Sequence, residues 1–472
     1  MADPATVAVS SNINHMSGVI QGEINMNAPS NVTGKDELQR IFELQTENQW
    51  HVRRSTATHR IEKLHKLKVT IQAHEVQVKD ALYKDLRKID ANAQVELDAC
   101  YADIDDAVDN LEEWMSPVEV ETSAAFAEAK ARIVYEARGI VLLFGPWNFP
   151  FNLVFQPLVP IIAAGNCALV KPNEMSSHTS AVIAKIIRET FEPAEIAVFE
   201  GGVDLANDLL DLPVDHIFFT GSPAVGKVVM GAAAKHLASV TLELGGKNPV
   251  IVDKDANIQD AAGKIAFLRN MNSGQVCLCP ENIWVHEDNK DEFVAVAQAT
   301  YQAMFYEQGE LNKELQGKII DERNLARIKG YLDDAAAKGA EVVCGGTVIE
   351  ETLSVHPTIL TNVPEDALIQ SEEVFGPILS VFTYHDISEV YQSLHKQPKP
   401  LALYIFSEDG SFVNDVLSNT TSGGVTVNSC IMHCAEHRLP FGGVNSSGMG
   451  RYHGVHGFKE LSHERGILHM TV

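Results

Sequence analysis

The run HIFFTGSPAVG at residues 216–226 is an apolar segment that passes directly into glycine, serine and proline. Its apolar part has the length and composition of a buried strand, and proline is favoured in the first turn of a helix. We therefore predict a strand over residues 216–220 and a helix over residues 223–236. Gly221 allows a tight turn, and the free N–H groups of a helix N-terminus favour a bound phosphate. The spacing Gly-x4-Gly departs from the dinucleotide fingerprint, so an ordinary strand–helix turn is the alternative.

The same alternation of strand and helix continues on both sides of this run. Further strands are predicted at residues 139–144, 167–171, 197–200 and 239–244, with helices at 153–164, 178–189 and 203–210. A second series has strands at residues 282–286, 341–344, 379–384, 403–406 and 424–428, with helices at 291–302, 323–338 and 387–397. This alternation is typical of parallel sheets covered by helices on both faces. The predicted fold class is α/β with two Rossmann-like parallel-sheet domains.

The chain of 472 residues is too long for one compact core. The predicted parts are a polar N-terminal arm at residues 1–35, a first domain at 36–118 and 139–244, a second domain at 245–450, and bridging segments at 119–138 and 451–472. Residues 36–115 within the first domain have the period of long amphipathic helices. We expect a functional site where the two domains meet, close to residues 243–247.

Composition excludes several classes of partner. The formal charge of −26 argues against nucleic acid and anionic membranes. The seven cysteines have no framework spacing, and the polar N-terminus lacks a secretory signal, so we expect a reducing, cytoplasmic location. Residues 139–170 carry no charge, but four prolines interrupt them, so we predict no membrane span.

Three runs supply the groups of an acyl-transfer site. Cys277 ends the run NSGQVC, Glu243 lies in LELGGK, and Asn148 lies in GPWNFP. They provide a thiol nucleophile, a carboxylate base and an amide donor for an oxyanion, each near glycine. A carboxylate at a strand end is expected to be partly buried, which raises its pKa towards that of a useful base. Considered one at a time, each residue has an alternative explanation. Cys277 could be an inert buried thiol, Glu243 could form a salt bridge at the end of a strand, and Asn148 could be a turn residue. No metal site is predicted.

A further polar pair ends the strand at residues 167–171. Lys171 and Glu174 lie in the run KPNE, beyond the carboxyl end of that strand, where ligands bind in parallel sheets. Together they have the donors and acceptors to bind ribose hydroxyls. The alternative is a solvated loop.

These runs together resemble the aldehyde dehydrogenase superfamily over residues 36–465. The order GPWNFP, FTGS, LELGGK, GQVC and EEVFGP (residues 372–377) is that of the family. The short N-terminus and the run LPFGGVNSSGMGRYHG at residues 439–454 resemble the class 3-like branch of aromatic and fatty aldehyde enzymes. The resemblance implies a cofactor-binding domain, a catalytic domain, and a bridging arm that forms a homodimer.

The resemblance also implies residue roles. Cys277 attacks an aldehyde to give a thiohemiacetal and then a thioester, Asn148 and the Cys277 backbone N–H hold the oxyanion, and Glu243 activates water. The implied cofactor contacts are Trp147, Lys171, Glu174, Gly221, Ser222, Gly226, Leu244, Glu373 and Phe375. The implied substrate contacts are Tyr101, Phe151 and Asn428. The Glu174 carboxylate would repel a 2′-phosphate and so favours NAD, although class 3 relatives also accept NADP.

Other functions stay open at this point. The Cys277-x-Cys279 pattern resembles succinic semialdehyde dehydrogenases, in which a disulfide silences the nucleophile. A semialdehyde would need a cation, for which Arg269 and Arg438 are candidates. Acyl transfer by a CoA-acylating enzyme or an esterase is disfavoured by Glu243, because the acylating branch typically lacks this base. A non-catalytic, lens-protein role is disfavoured because all three catalytic groups are present. Aromatic or medium- to long-chain aldehydes are therefore the expected substrates.

Overall fold

The computed structural model describes residues 34–312 and 314–470, so the predicted polar arm lies almost wholly outside the described residues. The described chain opens with four helices and two strands, α1 Lys35–Arg53, α2 Ala57–Ala73, α3 Glu75–Leu86, α4 Asp90–Trp114, β1 Val118–Val120 and β2 Lys130–Ala137. One face of α4 is fully buried, through Ala93, Leu97, Cys100, Ile104, Ala107 and Leu111. Their three- and four-residue spacing explains why this helix packs as the centre of the helical layer.

A parallel sheet follows, with helices between its strands. Its elements are β3 Ile140–Phe144, α5 Asn152–Ala164, β4 Cys167–Lys171, α6 Ser177–Thr190, β5 Ile196–Val198, α7 Val203–Leu210, β6 His216–Gly221, α8 Pro223–His236 and β7 Ser239–Leu244. The strands lie in the order β7-β6-β3-β4-β5 and pair in parallel. Every residue of β3 and β4 is buried, as expected for strands with helices on both faces.

A second, larger sheet forms the next part of the chain. Its region contains β8 Asn248–Val252, α9 Ile258–Arg269, β9 Pro280–His286, α10 Lys290–Phe305, β10 Tyr306–Glu307, β11 Glu310–Leu311, α11 Glu322–Ala337, β12 Glu341–Cys344, β13 Val348–Ile349, β14 Ser354–Val355, β15 Thr358–Thr361, α12 Leu368–Ser371, β16 Ile378–Tyr384, α13 Ile387–His395, β17 Ala402–Phe406, α14 Gly410–Asn419 and β18 Gly424–Val427. The order is β12-β15-β16-β9-β8-β17-β18, with β12 antiparallel to β15 and the other pairs parallel. The predicted class, α/β with two Rossmann-like domains, is confirmed.

The C-terminal elements are β19 Gly448–Met449, α15 Gly454–Glu460 and β20 Ser462–His469. Strand β19 pairs with β7 and therefore extends the first sheet. Strand β20 pairs with β2 over eight residues, and β1 completes a three-stranded antiparallel sheet. This small sheet joins the two chain segments that the sequence assigned to a bridging arm.

The predicted elements in both sheets are confirmed to within a few residues, and five of them have the observed bounds, namely β4, α7, α8, β7 and β12. Strands β8 and β15 and helices α9 and α14 were not predicted. Among the described helices, none combines the length and the apolar character that crossing a membrane requires. The uncharged stretch at residues 139–170 instead contains β3, the buried helix α5 and most of β4.

The fold brings the predicted site to one edge. The carboxyl ends of β3, β4, β6 and β7 lie at the same edge of the first sheet, because these strands are parallel. Residues 245–247 then connect β7 directly to β8 of the second sheet. Loops from both sheets therefore meet next to Glu243.

Candidate active site

Asn148 lies in the loop between β3 and α5 and is 5 % exposed. Its side-chain Nδ2 donates a hydrogen bond to the backbone oxygen of Gln275, at 3.1 Å. The backbone oxygen of Asn148 in turn accepts from Asn272 Nδ2 at 2.9 Å. The loop that carries Asn148 is therefore tied twice to the loop that carries Cys277. A side-chain amide has two N–H groups, so one of them stays free to donate to a ligand.

Cys277 follows a tight turn between α9 and β9. Asn272, Ser273 and Gly274 all have positive φ, at 49°, 54° and 74°. At Gly274 a Cβ would lie 2.2 Å from the backbone oxygen of Gly376, so this backbone approach requires glycine. The strained turn leaves Cys277 partly exposed at its end.

Two carboxylates lie within electrostatic range of the Cys277 thiol. Burial raises its pKa above the ordinary value, and the nearby charges of Glu373 and Glu243 raise it further. The thiol is therefore protonated at neutral pH, and a base must remove its proton before it can act as a nucleophile. The thiol and the two carboxylates are thus close enough to interact electrostatically.

Glu243 is the next-to-last residue of β7 and is 4 % exposed. Among the described residues, neither carboxylate oxygen has a hydrogen-bond partner. Burial raises its pKa well above the ordinary value, while Arg451 opposes this shift. The predicted direction of this shift is confirmed. An unpaired buried carboxylate is costly, which is typical of a group that serves a ligand or a reaction.

The residues expected to contact the adenosine end of a cofactor lie at the carboxyl edge of the first sheet. Lys171 ends β4, and its Nζ lies 2.7 Å from Glu174 Oε2. The Glu174 side chain is 41 % exposed, so its carboxylate can accept hydrogen bonds from a ligand. Gly221 ends β6, and Ser222 caps α8, with its Oγ accepting from Val225 N. These are the positions at which a parallel sheet binds a nucleotide.

Close backbone approaches shape the rest of this region. At Gly226 a Cβ would lie 2.9 Å from Leu244 Cδ2, so α8 packs closely against the end of β7. At Gly245 a Cβ would lie 2.1 Å from Glu373 Oε2. A side chain at either position would clash with these neighbours, so both close approaches require glycine.

Two further residues predicted to contact the cofactor pack against each other. The rings of Trp147 and Phe375 meet edge to face, with centroids 5.3 Å apart. The nearby Glu373 carboxyl has its pKa raised to about 8, by burial first and by the charge of Glu281 second. Trp147 thus contacts Phe375 from the region of the second sheet, whereas Lys171 and Gly221 lie at the carboxyl ends of β4 and β6.

The three predicted substrate contacts have other partners in the structure. Tyr101 donates its hydroxyl hydrogen bond to Glu75 and lies under Lys68. Phe151 is fully buried against Phe155, with ring centroids 4.8 Å apart. The amide of Asn428 bonds the backbone N–H and C=O of Ser407 and so joins the ends of β17 and β18. Each of these three side chains therefore has a structural role in packing or hydrogen bonding that does not depend on a substrate.

Arg269 is not available to bind a substrate carboxylate. Its side chain is 1 % exposed, and its guanidinium donates to the backbone oxygens of Pro280 and Gly376, at 3.0 and 2.6 Å. It therefore holds the turn before β9 in place. The expectation that Arg269 could recognise a semialdehyde is wrong, because its guanidinium is buried, bonds two backbone oxygens and pairs with Glu281.

Cys279 is buried, and its thiol contacts the backbone oxygens of Leu268 and Arg269 at the end of α9, at 3.7 and 3.6 Å. Both Cys277 and Cys279 are free thiols. Cys279 thus packs into the end of a helix, as buried cysteines commonly do.

Three further residues lie close to the site, and two of them, Tyr452 and Arg451, were not assigned a role from the sequence. Tyr452 is buried, and the charges of Glu243 and Cys277 act on its hydroxyl. Cys434 lies near enough to influence the Cys277 thiol. Arg451 donates to the backbone oxygens of Gly443 and Gly450, both at 2.6 Å. The glycine-rich run that contains Arg451 and Tyr452 was recognised only as a branch signature, because its contact with β7 arises from the tertiary fold.

A buried ionic cluster lies behind Tyr452. Asp103 accepts hydrogen bonds from Gln156 at 2.8 Å and from His453 at 3.3 Å, and it also contacts His437. Burial raises the pKa of the Asp103 carboxyl, but the two imidazoles hold it at about 2. The His453 ring stacks on Tyr452, with centroids 4.3 Å apart. The cluster thus joins α4 to the C-terminal segment.

Comparison with known proteins agrees with this geometry. The model of the aldehyde dehydrogenase family matches residues 22–467. The chain belongs to the aldehyde dehydrogenase family. It is 40 % identical to the 4,4′-diaponeurosporen-aldehyde dehydrogenase of Staphylococcus aureus, over 87 % of this chain and 88 % of that protein. It is also 38 % identical to mouse aldehyde dehydrogenase family 3 member B3, over 88 % of this chain and 85 % of that protein.

A solved structure shows the same fold. The substrate-bound state of Staphylococcus aureus AldH superposes with a TM-score of 0.88 at 37 % identity, covering 92 % of this chain and 94 % of that one. The resemblance to the class 3-like branch is confirmed, since a family 3 protein is among the relatives. This aldehyde dehydrogenase is therefore an oxidoreductase that uses NAD or NADP.

Proposed function

We propose that this aldehyde dehydrogenase oxidises apolar aldehydes, either aromatic or medium- to long-chain aliphatic, to their acids. The observation that carries the proposal is the convergence of Cys277, Glu243 and Asn148, three groups from three separate runs of sequence, at the seam between the sheets. A nucleophile, a base and an oxyanion donor in one partly buried pocket suit acyl chemistry at a carbonyl carbon.

In the proposed reaction the Cys277 sulfur attacks the aldehyde carbonyl. The free N–H of the Asn148 amide and the backbone N–H of Cys277 then donate to the oxyanion of the thiohemiacetal. The hydrogen bond from Asn148 Nδ2 to Gln275 fixes the amide plane before substrate arrives, so little reorganisation is needed. The thiol proton passes to solvent water, since Cys277 is partly exposed, and Glu243 remains available for the later proton transfer.

The second half of the reaction releases the acid. When bound, NAD or NADP would supply the hydride acceptor for this oxidation, and Cys277 would then hold the oxidised carbon as a thioester. Glu243 then removes a proton from water, the hydroxide adds to the thioester carbonyl, and the Cys277 sulfur leaves as the acid forms. Because burial raises the pKa of Glu243, it is a stronger base once deprotonated than an exposed glutamate.

The apolar character of the substrate rests on the surroundings of the thiol. Rings of Phe441, Tyr452 and His453 pack together, with the Phe441 and Tyr452 centroids 5.4 Å apart, and Tyr452 is close to Cys277. The backbone bonding of Arg269 removes one cation that a semialdehyde would require. The relative from Staphylococcus aureus is named for a diaponeurosporen aldehyde. These observations favour an apolar aldehyde over a semialdehyde.

The test is a panel of aldehydes with purified protein, followed by the absorbance of the reduced nicotinamide. Benzaldehyde, hexanal, dodecanal and succinic semialdehyde are each supplied with NAD and with NADP, with and without a thiol reductant. We expect kcat/KM for the apolar aldehydes to exceed that for the semialdehyde by on the order of 100-fold, the range that pocket complementarity provides. Turnover of the semialdehyde alone would contradict the proposed substrate class. Turnover that needs CoA would instead favour acyl transfer.

Cofactor preference gives a separate prediction for Glu174. The Glu174 carboxylate repels a 2′-phosphate. In the wild type this carboxylate lies 2.7 Å from Lys171 Nζ, so its removal frees the Lys171 ammonium to bind the phosphate. We expect Glu174→Ser to raise the ratio of kcat/KM with NADP to that with NAD by about tenfold, which is about 1.4 kcal/mol. Glu192→Ser removes an exposed carboxylate before the amino end of β5 and is the matched control. An equal ratio in wild type and Glu174→Ser would show that Glu174 does not contact the ribose.

The assembly is proposed to be a homodimer through the arm built from β1, β2 and β20. Strand β1 is exposed along its whole length, and so is most of β20. Exposed strands of this kind present unpaired backbone groups that a partner can cover. The cytoplasmic location stays a prediction from the cysteine pattern.

A further inference from the structure

A buried ion pair, Lys88 with Glu96, lies directly beneath the loop that carries Asn148. Lys88 follows α3, Glu96 is on α4, and their side chains are 1 % and 0 % exposed. Lys88 Nζ lies 2.6 Å from Glu96 Oε1. Burying two charges costs several kcal/mol per ion, and hydrophobic residues of similar volume often stabilise a fold at least as well. Stability alone therefore does not explain this pair.

The remaining contacts of the pair all go to one short segment of chain. Lys88 Nζ donates to the backbone oxygen of Asn148 at 2.8 Å, and it lies 3.7 Å from the ring centroid of Phe149. Glu96 Oε2 accepts from the backbone N–H groups of Phe151 and Asn152, at 3.0 and 3.1 Å. The pair thus bonds the backbone that directly follows the Asn148 side chain, from the Asn148 carbonyl to the start of α5.

Each of these contacts has a physical reason to be strong. Glu96 places a carboxylate at the N-terminus of α5, where the free N–H groups and the helix dipole favour negative charge. Hydrogen bonds that involve a charged group are roughly twice as strong as neutral ones. The Asn148 carbonyl is also held by Asn272 at 2.9 Å, so it is fixed between Lys88 and the Cys277 loop.

We propose that Lys88 and Glu96 are positioning residues for the oxyanion donor, and that they act on the reaction through Asn148. The ion pair fixes the backbone of the loop, and the backbone sets the direction of the free N–H of the Asn148 amide. This inference rests on the proposed role of Asn148. An oxyanion donor displaced by about 1 Å can lose on the order of 100-fold in rate, so accurate placement has a large effect.

The test is a double-mutant cycle with Lys88→Met, Asn148→Ala and the double variant, measured in the full-length enzyme. Asn148→Ala is expected to lower kcat by on the order of 100-fold. Lys88→Met is expected to lower kcat by about tenfold or more, with the KM for NAD and the rate of Cys277 alkylation unchanged. On the Asn148→Ala background, Lys88→Met should cause no further loss, because the group through which it acts is gone.

Lys88→Met leaves Glu96 as an uncompensated buried charge, which threatens folding. The variant Lys88→Met/Glu96→Gln avoids that charge and keeps a side-chain oxygen for the N–H groups of Phe151 and Asn152, and it enters the same cycle. Arg60→Met is the matched control, because Arg60 is a buried cation that donates to the backbone oxygen of Ala163, at the other end of α5. It should lower the Tm without lowering kcat.

The outcomes separate the two proposals. An equal loss from Lys88→Met with and without the Asn148 amide would overturn the positioning role, because the pair would then act by another route. A loss of kcat in Arg60→Met as large as in Lys88→Met would overturn it as well. An unchanged kcat in Asn148→Ala would instead reject the oxyanion role of Asn148.

Discussion

Cys277→Ala is expected to lower kcat/KM for aldehyde oxidation by about four orders of magnitude or more, while NAD binding stays unchanged. Removal of a catalytic nucleophile typically causes a loss of this size, because no covalent intermediate can form. The thiol lies at the end of a strained turn, within electrostatic range of Glu243 and Glu373, whereas the proposed adenosine contacts begin at Lys171 on the first sheet. The two functions therefore use different side chains.

Steady-state kinetics with the best aldehyde of the panel measures kcat/KM, and calorimetric titration with NAD measures the affinity for the cofactor. Cys279→Ala is the matched control, since it removes a thiol two positions away that contacts backbone oxygens of α9. It should keep nearly full kcat/KM. Retained turnover in Cys277→Ala, together with loss of turnover in Cys279→Ala, would show that the nucleophile is Cys279 and not Cys277. If oxidant inactivates the wild type but not Cys279→Ala, the Cys-x-Cys pair is redox-active.

The sequence predicts the sheet frameworks well, for a physical reason. Strands buried on both faces appear as continuous apolar runs, and glycine or proline marks their ends. Strands β4 and β7 therefore have the predicted bounds. Strand β8 was missed because its run NPVIV begins with asparagine and proline, one residue after two glycines, and this pattern is typical of a turn. Helix α9 was missed because three of its buried positions are alanines and the large apolar Phe267 lies exposed on the opposite face, which weakens the 3.6-residue period.

The site was predictable where a motif fixes the backbone, and unpredictable where packing decides. Asn148, Glu243 and Cys277 each lie beside glycine or proline in short runs, and their positions follow from those runs. The substrate contacts came from the family resemblance, which does not determine how each side chain packs, and Phe151 is instead part of the α4–α5 core. Glu96 had a signal that went unused, because it is a carboxylate at a buried position of the α4 stripe between Ala93 and Leu97.

Glu243→Gln is expected to retain one rapid oxidation per active site and then to stall, because water is no longer activated to cleave the thioester. The amide keeps the shape of the side chain at the end of β7 but cannot accept a proton at neutral pH. In the wild type, burial raises the pKa of Glu243 well above its ordinary value, and the carboxyl is an effective base only above that pKa. Deacylation should therefore slow as the pH falls through the raised pKa.

Rapid mixing measures this as a burst of reduced nicotinamide of about one per site, followed by a steady rate about 100-fold or more below wild type. Hydroxylamine, which attacks a thioester without a base, should restore turnover in Glu243→Gln but barely accelerate the wild type. Loss of the burst as well would show that Glu243 also deprotonates Cys277, a second role that its electrostatic contact with the thiol allows. A full steady rate at neutral pH would assign water activation to another group. The presence or absence of the burst therefore distinguishes the activation of water by Glu243 from the deprotonation of Cys277 by Glu243.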